Sequence, residues 1–328
     1  MKAYVFPPII ALVLILSGCQ EEIDLELPDV EPELVVEAYL TDLDFFIPDS
    51  DLDCSGITTF PRELIVAGAS LAATFPVDSA EEVSDYFPFN KVVLTSTANY
   101  FSNATPPPVT DATVELYQDG NLVETLSHDG SNPGTYPITH DPVVGSEYHL
   151  EIEALGKFYE TKKETYKAVP PLIGLGANYG PNFIQDSCAY YLGIDTYEKA
   201  GAGDFYRWFF YINGKYDARP NFITLSTDDG IDGLCLFGLD VYGDELELGD
   251  TLTVFQMMTS EGYYNFNVAL RSRTGQVGSP FDAPPSPISG NVENITDNKL
   301  AIGFFAAGGI TANFVVVPDE VPTGADCP

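Results

Sequence analysis

Gly145-Ser146-Glu147-Tyr148-His149-Leu150-Glu151-Ile152-Glu153-Ala154 alternates residue by residue. Tyr148, Leu150 and Ile152 fall on one side of an extended chain and His149, Glu151 and Glu153 on the other, because successive Cβ atoms of a strand point to opposite faces. Period two marks a strand with one face on a core and one toward water.

Working outward, residues 112–117 and 122–127 flank Asp119-Gly120, a dipeptide that accepts the positive φ angles of a tight hairpin. Residues 158–164 follow across a turn at Gly156. Upstream, Leu34-Val35-Val36-Glu37-Ala38-Tyr39-Leu40 is rich in β-formers, and 91–97 reads as another strand. Between those two the pattern breaks at Pro48, Pro61 and Pro76, which predicts a long insertion near 44–90 held by Cys54. Six or seven short strands of this kind describe a β-sandwich over 33–169. Val169-Pro170-Pro171 then ends the sheet, since proline cannot donate to a ladder. Residues 188–195, 205–212, 221–226, 234–240, 252–258, 300–306 and 312–317 are strand-like. One helix is predicted near 260–273: Ser260 is a suitable N-cap, Glu261 suits the first turn, and Tyr263, Phe266, Ala269 and Leu270 recur at helical spacing up to Gly275. The fold class is therefore all-β, with a second domain over 170–328 that is a larger β-sandwich or half-barrel carrying one helix.

The chain opens with Lys2, an apolar run over 11–16, and Leu16-Ser17-Gly18-Cys19. Positive end, apolar middle and small residues at the cut are the order of a secretory signal. The run is too short for a bilayer, which takes about 20 residues. A cysteine directly after the small residues resembles a bacterial lipobox, with 1–18 removed, Cys19 lipidated and 19–32 an acidic tether. Forty-nine acidic residues face 14 basic ones, a net charge of −35. That balance excludes nucleic acid and anionic lipid faces as partners, because both need clustered Lys and Arg. In an exported chain the remaining Cys54, Cys188, Cys235 and Cys327 predict two disulfides. Of three connectivities, Cys188–Cys235 is favoured, leaving Cys54 to reach Cys327.

Little in the sequence points to catalysis. His128, His140 and His149 lack the close helical pairing of a metalloprotease and read as lone exposed histidines. Nucleophile elbows and glycine-rich phosphate loops are absent, so no enzyme and no cofactor are expected. The exception held open is a hydrolase using paired carboxylates. Asp228, Asp229 and Asp232 are the candidate calcium ligands. Tyr190, Tyr191, Trp208 and Tyr263 are the candidate contacts for a glycan, peptide or protein partner, with Trp208 weighted toward the core.

Several pieces in order resemble one family: Ser17-Gly18-Cys19, the stretch Leu34 to Asp42, Val92-Val93-Leu94-Thr95-Ser96-Thr97, Val109 to Val114, and Gly134-Thr135-Tyr136. The closing set is Phe281, Pro284-Pro285, Gly290-Asn291-Val292 and Leu300 to Phe305. Together they are similar to the Bacteroidota lipoproteins grouped as domain of unknown function 4249. The resemblance implies an outer-membrane lipoprotein encoded beside TonB-dependent receptors, with an immunoglobulin- or transthyretin-like first domain and no catalytic residues to carry over. Gln20-Glu21-Glu22 resembles the surface-export signal of that phylum, and Asp78-Ser79-Ala80 and Asp250-Thr251-Leu252 resemble its O-glycan acceptors at Ser79 and Thr251. The expected function is a non-catalytic binding or accessory component of a TonB-dependent transport system at the cell surface. A surface adhesin or glycan-binding module is the alternative.

Overall fold

The computed structural model describes residues 31–42, 88–98, 105–182, 187–274, 288 and 290–322. Cys19, Cys54, Ser79 and Cys327, and most of the insertion near 44–90, lie outside them. The first half runs through β1 (Leu34–Leu40), β2 (Lys91–Ser96), β3 (Thr113–Gln118), β4 (Asn121–Leu126), β5 (Thr135–Pro137), β6 (Glu147–Ala154), β7 (Lys157–Thr161) and β8 (Glu164–Thr165). The second continues with β9 (Leu172–Asn182), β10 (Ser187–Tyr197), β11 (Phe205–Ile212), β12 (Lys215–Tyr216), β13 (Thr224–Thr227), β14 (Cys235–Leu239) and β15 (Thr251–Thr259). The helix α1 (Glu261–Thr274) precedes β16 (Val292–Asn294), β17 (Lys299–Leu300), β18 (Ile302–Ala307) and β19 (Ile310–Val316). The fold is all-β with one α-helix among the described residues, and no helix there is long and apolar enough to cross a membrane.

Two sheets, in the orders β18-β1-β2-β5 and β17-β16-β7-β6-β3-β4, close over the first core, with β8 added to β6. Tyr148, Leu150 and Ile152 are fully buried in it, beside Val36, Leu94, Leu116 and Phe305. The period-two reading therefore holds in detail. Asp119 and Gly120 take φ of 50° and 79°, as the hairpin between β3 and β4 requires. His149 departs from its expected exposure. It lies on the outer face yet is 5% exposed, because the Tyr117 ring stacks on it at 5.0 Å.

The second sandwich sets β14-β10-β9 against β12-β11-β15-β19, with β13 on β11. Its core holds Tyr190, Leu192, Tyr206, Trp208, Phe210 and Val254. β9 has no counterpart in the sequence reading. Gly174, Gly176 and Gly180 dilute its apolar pattern, and across the pair a Cβ on Gly193 would collide with the Asn178 side chain.

The boundary at residue 170 separates the sandwiches only in part. β16, β17 and β18 return to the first sandwich, and only β19 stays with the second. β18 pairs with β1 in parallel, Val36 opposite Gly303 and Ala38 opposite Phe305. A pairing between the two ends of the chain has no local signature, so the expectation that 300–306 belongs with the second domain is corrected. The favoured Cys188–Cys235 bond is corrected by the same kind of evidence. Cys235 lies opposite Tyr197 at one end of β10, while Cys188 lies at the other end, opposite Pro181. At about 3.3 Å per residue the two are about 30 Å apart. A disulfide needs Cα atoms within about 7 Å.

A third apolar cluster welds the sandwiches: Tyr39 of β1, Phe89, Phe209 and Phe255 of the second sheet, Tyr263 of α1 and Phe304 of β18. Arg207 is buried there, its guanidinium 4.3 Å over the Phe209 ring. Nη1 donates to Asn267 Oδ1 at 2.9 Å and to the Tyr263 hydroxyl, and Nη2 donates to Tyr216 at 3.3 Å. Ser260 caps α1 as its sequence implied, its Oγ accepting the Tyr263 N–H at 3.2 Å.

Glu164 of β8 is buried nearby, its Oε1 accepting from Asn291 Nδ2 at 3.1 Å and its Oε2 without a partner. Burial pushes the Glu164 carboxyl from 4.5 up to about 7, against the opposing hydrogen bond from Asn291. The folded protein thus binds this proton more tightly than the unfolded chain. Stability from this group is greatest below its ordinary range, falls as pH rises between the two values, and is least above about 7. Glu164→Gln is therefore expected to gain about 2–3 kcal/mol on wild type between about pH 5 and pH 8, measured by urea unfolding at both.

Candidate functional site

Two turns at one end of the second sandwich bring three carboxylates together. Glu198 follows β10, Asp204 precedes β11, and Asp228 follows β13; one oxygen from each lies within 4.8 Å of the other two. Gly201 and Gly203 at φ of 136° and 104° give the 198–204 loop the backbone it needs. It folds back so that the N–H groups of Gly203 and Asp204 donate to Asp228 Oδ2 at 2.7 and 3.1 Å. Lys167 donates to Asp204 Oδ1 at 3.0 Å and offsets one of the three charges. The Tyr206 hydroxyl donates to Glu198 Oε1 at 2.7 Å. Burial raises the Glu198 carboxyl above its usual range; the Tyr206 bond opposes this, and the charges of Asp204, Asp228 and Asp232 add to it. The Tyr206 phenol is pushed well up by burial first and then by Glu198.

Beside the trio lies a small cavity of about 10 Å³, lined by Thr196, Glu198, Tyr206, Trp208, Ser226 and Gln256. Trp208 Nε1 donates to Gln256 Oε1 at 3.2 Å, and Gln256 Nε2 donates to the Pro170 carbonyl at 3.0 Å. The space is below the roughly 300–1,000 Å³ of small-molecule sites. Three oxygens this close match a hard cation, whose oxygen ligands stand about 2.3–2.6 Å from the metal. Carboxyl pairs that flank a glycosidic bond are set wider, about 5–9.5 Å apart. Glu198, Asp204 and Asp228 are thus the residues here that could hold calcium.

Of the predicted calcium ligands, only Asp228 belongs to the trio. Asp229 is exposed and accepts from the Thr227 hydroxyl, and Asp232 accepts the Gly201 N–H at 2.7 Å. Glu198 and Asp204 escaped the sequence reading because they lie 30 and 24 residues upstream and reach Asp228 through the β11–β13 pairing. The aromatic candidates also need correction. Tyr190, Trp208 and Tyr263 are buried, while Tyr191 is partly exposed with its hydroxyl near Glu245. Strand alternation places Tyr206, Trp208 and Phe210 in one core and Arg207, Phe209 and Tyr211 in the joint. Thr251 opens β15 and is partly buried.

Tyr206→Phe strands the buried Glu198 carboxylate without its hydroxyl donor, and is expected to cost about 2 kcal/mol. The loss should shrink toward low pH, where a protonated Glu198 needs the donor less. Urea unfolding near pH 5 and near pH 8 checks both points.

No curated protein and no solved structure matches the chain. One family model does, described as "Domain of unknown function (DUF4249)", over residues 90–313. That span runs from the start of β2 into β19 and includes the carboxylate trio and every strand of the two sandwiches except β1 and the end of β19. The chain therefore belongs to this family.

Proposed function

We propose that this protein is an outer-membrane lipoprotein, facing the cell surface, that serves as a non-catalytic binding or accessory subunit of a TonB-dependent transporter. The observation that carries the reading is Leu16-Ser17-Gly18-Cys19 directly after an apolar run. Fourteen residues separate Cys19 from β1. Fully extended they span at most about 50 Å, enough to hold the folded body clear of lipid headgroups. β1 sits inside its sheet between β18 and β2, so the tether leads straight into the first core. Disulfides belong to this reading because the envelope is oxidising. Cys188 and Cys235 are the members within the described residues, at opposite ends of β10 and too far apart to bond each other. With three of the four aromatic candidates buried, a protein surface suits the partner better than a sugar ring stacked on them.

Mass spectrometry of the envelope-purified protein should find a diacyl- or triacyl-modified Cys19 at the N-terminus. Pull-down from detergent-solubilised envelope should then recover a β-barrel receptor. An unmodified Cys19 on a released protein would overturn the anchor, and an acylated protein that captures no receptor would overturn the accessory role alone.

A further inference from the structure

The chain enters the first sandwich at the end where β1 begins, and the rim of that end is apolar. Glu33, the residue before β1, pairs with Lys299, and Glu31 pairs with Lys157 at 3.4 Å. Exposed ion pairs contribute little energy, but these two mark where the segment from Cys19 meets the folded body. Phe158 follows Lys157, and Leu300 follows Lys299. The Ile295 N–H donates to the Phe158 carbonyl at 2.9 Å, one step beyond the paired Tyr159 and Asn294. Those two are buried, so alternation turns Phe158 and Ile295 outward, side by side. Leu300 lies opposite Glu293 and so diagonal to Ile295. Ile302 lies two residues further along, opposite Val35, with buried Ala301 between them.

Leu155, in the turn between β6 and β7, completes a rim of five apolar side chains, each 38–46% exposed. Glu153, opposite Phe158, and Glu160 and Glu293, one step further from the rim, bound it on the acidic side. Exposure alone does not single this end out: Val143 and Val144, ahead of β6 at its other end, are 52% and 63% exposed. The path of the chain does. From Cys19 to Glu31 is 12 residues, about 40 Å at full extension, so an acylated Cys19 delivers this end to lipid. Five partly exposed side chains are also far fewer than the about 20–30 residues that each side of a stable protein interface uses. A lipid contact needs no such area, because the anchor already holds the protein at high local concentration.

We propose that Leu155, Phe158, Ile295, Leu300 and Ile302 seat this end of the first sandwich in the headgroup–acyl boundary of the membrane that holds Cys19. This seating requires the lipid anchor proposed above, and it adds the orientation of the body on the bilayer. A tether long enough to hold the body clear also lets it settle, and burial of these side chains in lipid favours settling. The lipid that fits is zwitterionic, since Glu153, Glu160 and Glu293 behind the rim repel an anionic headgroup layer. So seated, the β6–β7 turn faces lipid and the Val143–Val144 end faces away from it.

Trp208, buried in the second core, is the protein's single tryptophan, so an indole introduced by Phe158→Trp adds a signal that reports on the rim. The test places the acylated protein, its Cys19 read first by mass spectrometry, in phosphatidylcholine vesicles with and without acyl chains brominated near the headgroup. The added fluorescence of Phe158→Trp is expected to fall at least about twofold on bromination, as for a ring about 5–10 Å deep. Ile295→Trp should behave alike, and it keeps the test sound if the Phe158 variant misfolds. Val144→Trp should be unchanged. Equal quenching in the Val144 variant, or none in the Phe158 and Ile295 variants, would overturn the seating alone. So would an indole shielded from aqueous iodide yet unquenched by bromine, which would assign the rim to a second copy or another protein. An unmodified Cys19 would overturn the anchor itself, and the seating with it.

Discussion

Gly303→Ala is expected to abolish cooperative folding of the first sandwich, a loss of more than about 4 kcal/mol. Gly303 sits in β18 at φ of 112°, where an L side chain is strained whatever space surrounds it. Space is also lacking. Val36 of β1 is its direct partner in the parallel ladder, and a Cβ on Gly303 would fall inside the Val36 backbone. Gly290 repeats the arrangement one layer out, since its Cβ would fall on the Gly303 carbonyl. Three backbone segments are thus nested where the chain's two ends meet, and none can move without breaking the pairing that holds β1. Gly130→Ala is the control: nothing lies within 4 Å of its Cβ, so a change within about 0.5 kcal/mol is expected. Far-UV circular dichroism in urea reads both variants, and a Gly303→Ala curve matching wild type would refute the account.

Asn291→Ala should cost about 3–5 kcal/mol, because one buried amide satisfies three groups. Its Oδ1 accepts the Phe305 N–H at 2.9 Å, and its Nδ2 donates to the Phe305 carbonyl at 2.8 Å and to Glu164 Oε1 at 3.1 Å. The side chain acts as a rung between the entry to β16 and β18, with the Glu164 carboxyl leaning on it. Alanine leaves both Phe305 backbone groups and the carboxylate without partners in the interior. Asn291→Asp keeps the acceptor for the Phe305 N–H but turns a second acceptor toward Glu164. Its penalty should therefore rise from about pH 5 to pH 8, as Glu164 ionises near 7. Urea unfolding at the two pH values separates the variants, and an alanine variant within about 1 kcal/mol of wild type would show that Asn291 is not the rung.

These two residues explain why Gly290-Asn291-Val292 and the stretch ending in Gly303-Phe304-Phe305 stood out in the sequence before any role was visible. As letters they are a glycine and an asparagine after a proline-rich loop. In the fold they form the seam where β18 enters between Asn291 and β1. The carboxylate trio was legible only at Asp228, since its other members arrive through strand pairing.

What the residues determine alone is what depends on near neighbours: alternation in β6, the Asp119-Gly120 hairpin, the Ser260 cap, and the all-β class. Each is a contest between adjacent backbone conformations, and a few side chains decide it. The tertiary structure decided the rest: the parallel β1–β18 seam, the return of β16–β18 to the first sandwich, the burial of Trp208 and Tyr263, and the separation of Cys188 from Cys235. Those outcomes depend on which distant segments exclude water together. The burial of a face is a property of the pair that makes it, and neither member carries it in advance.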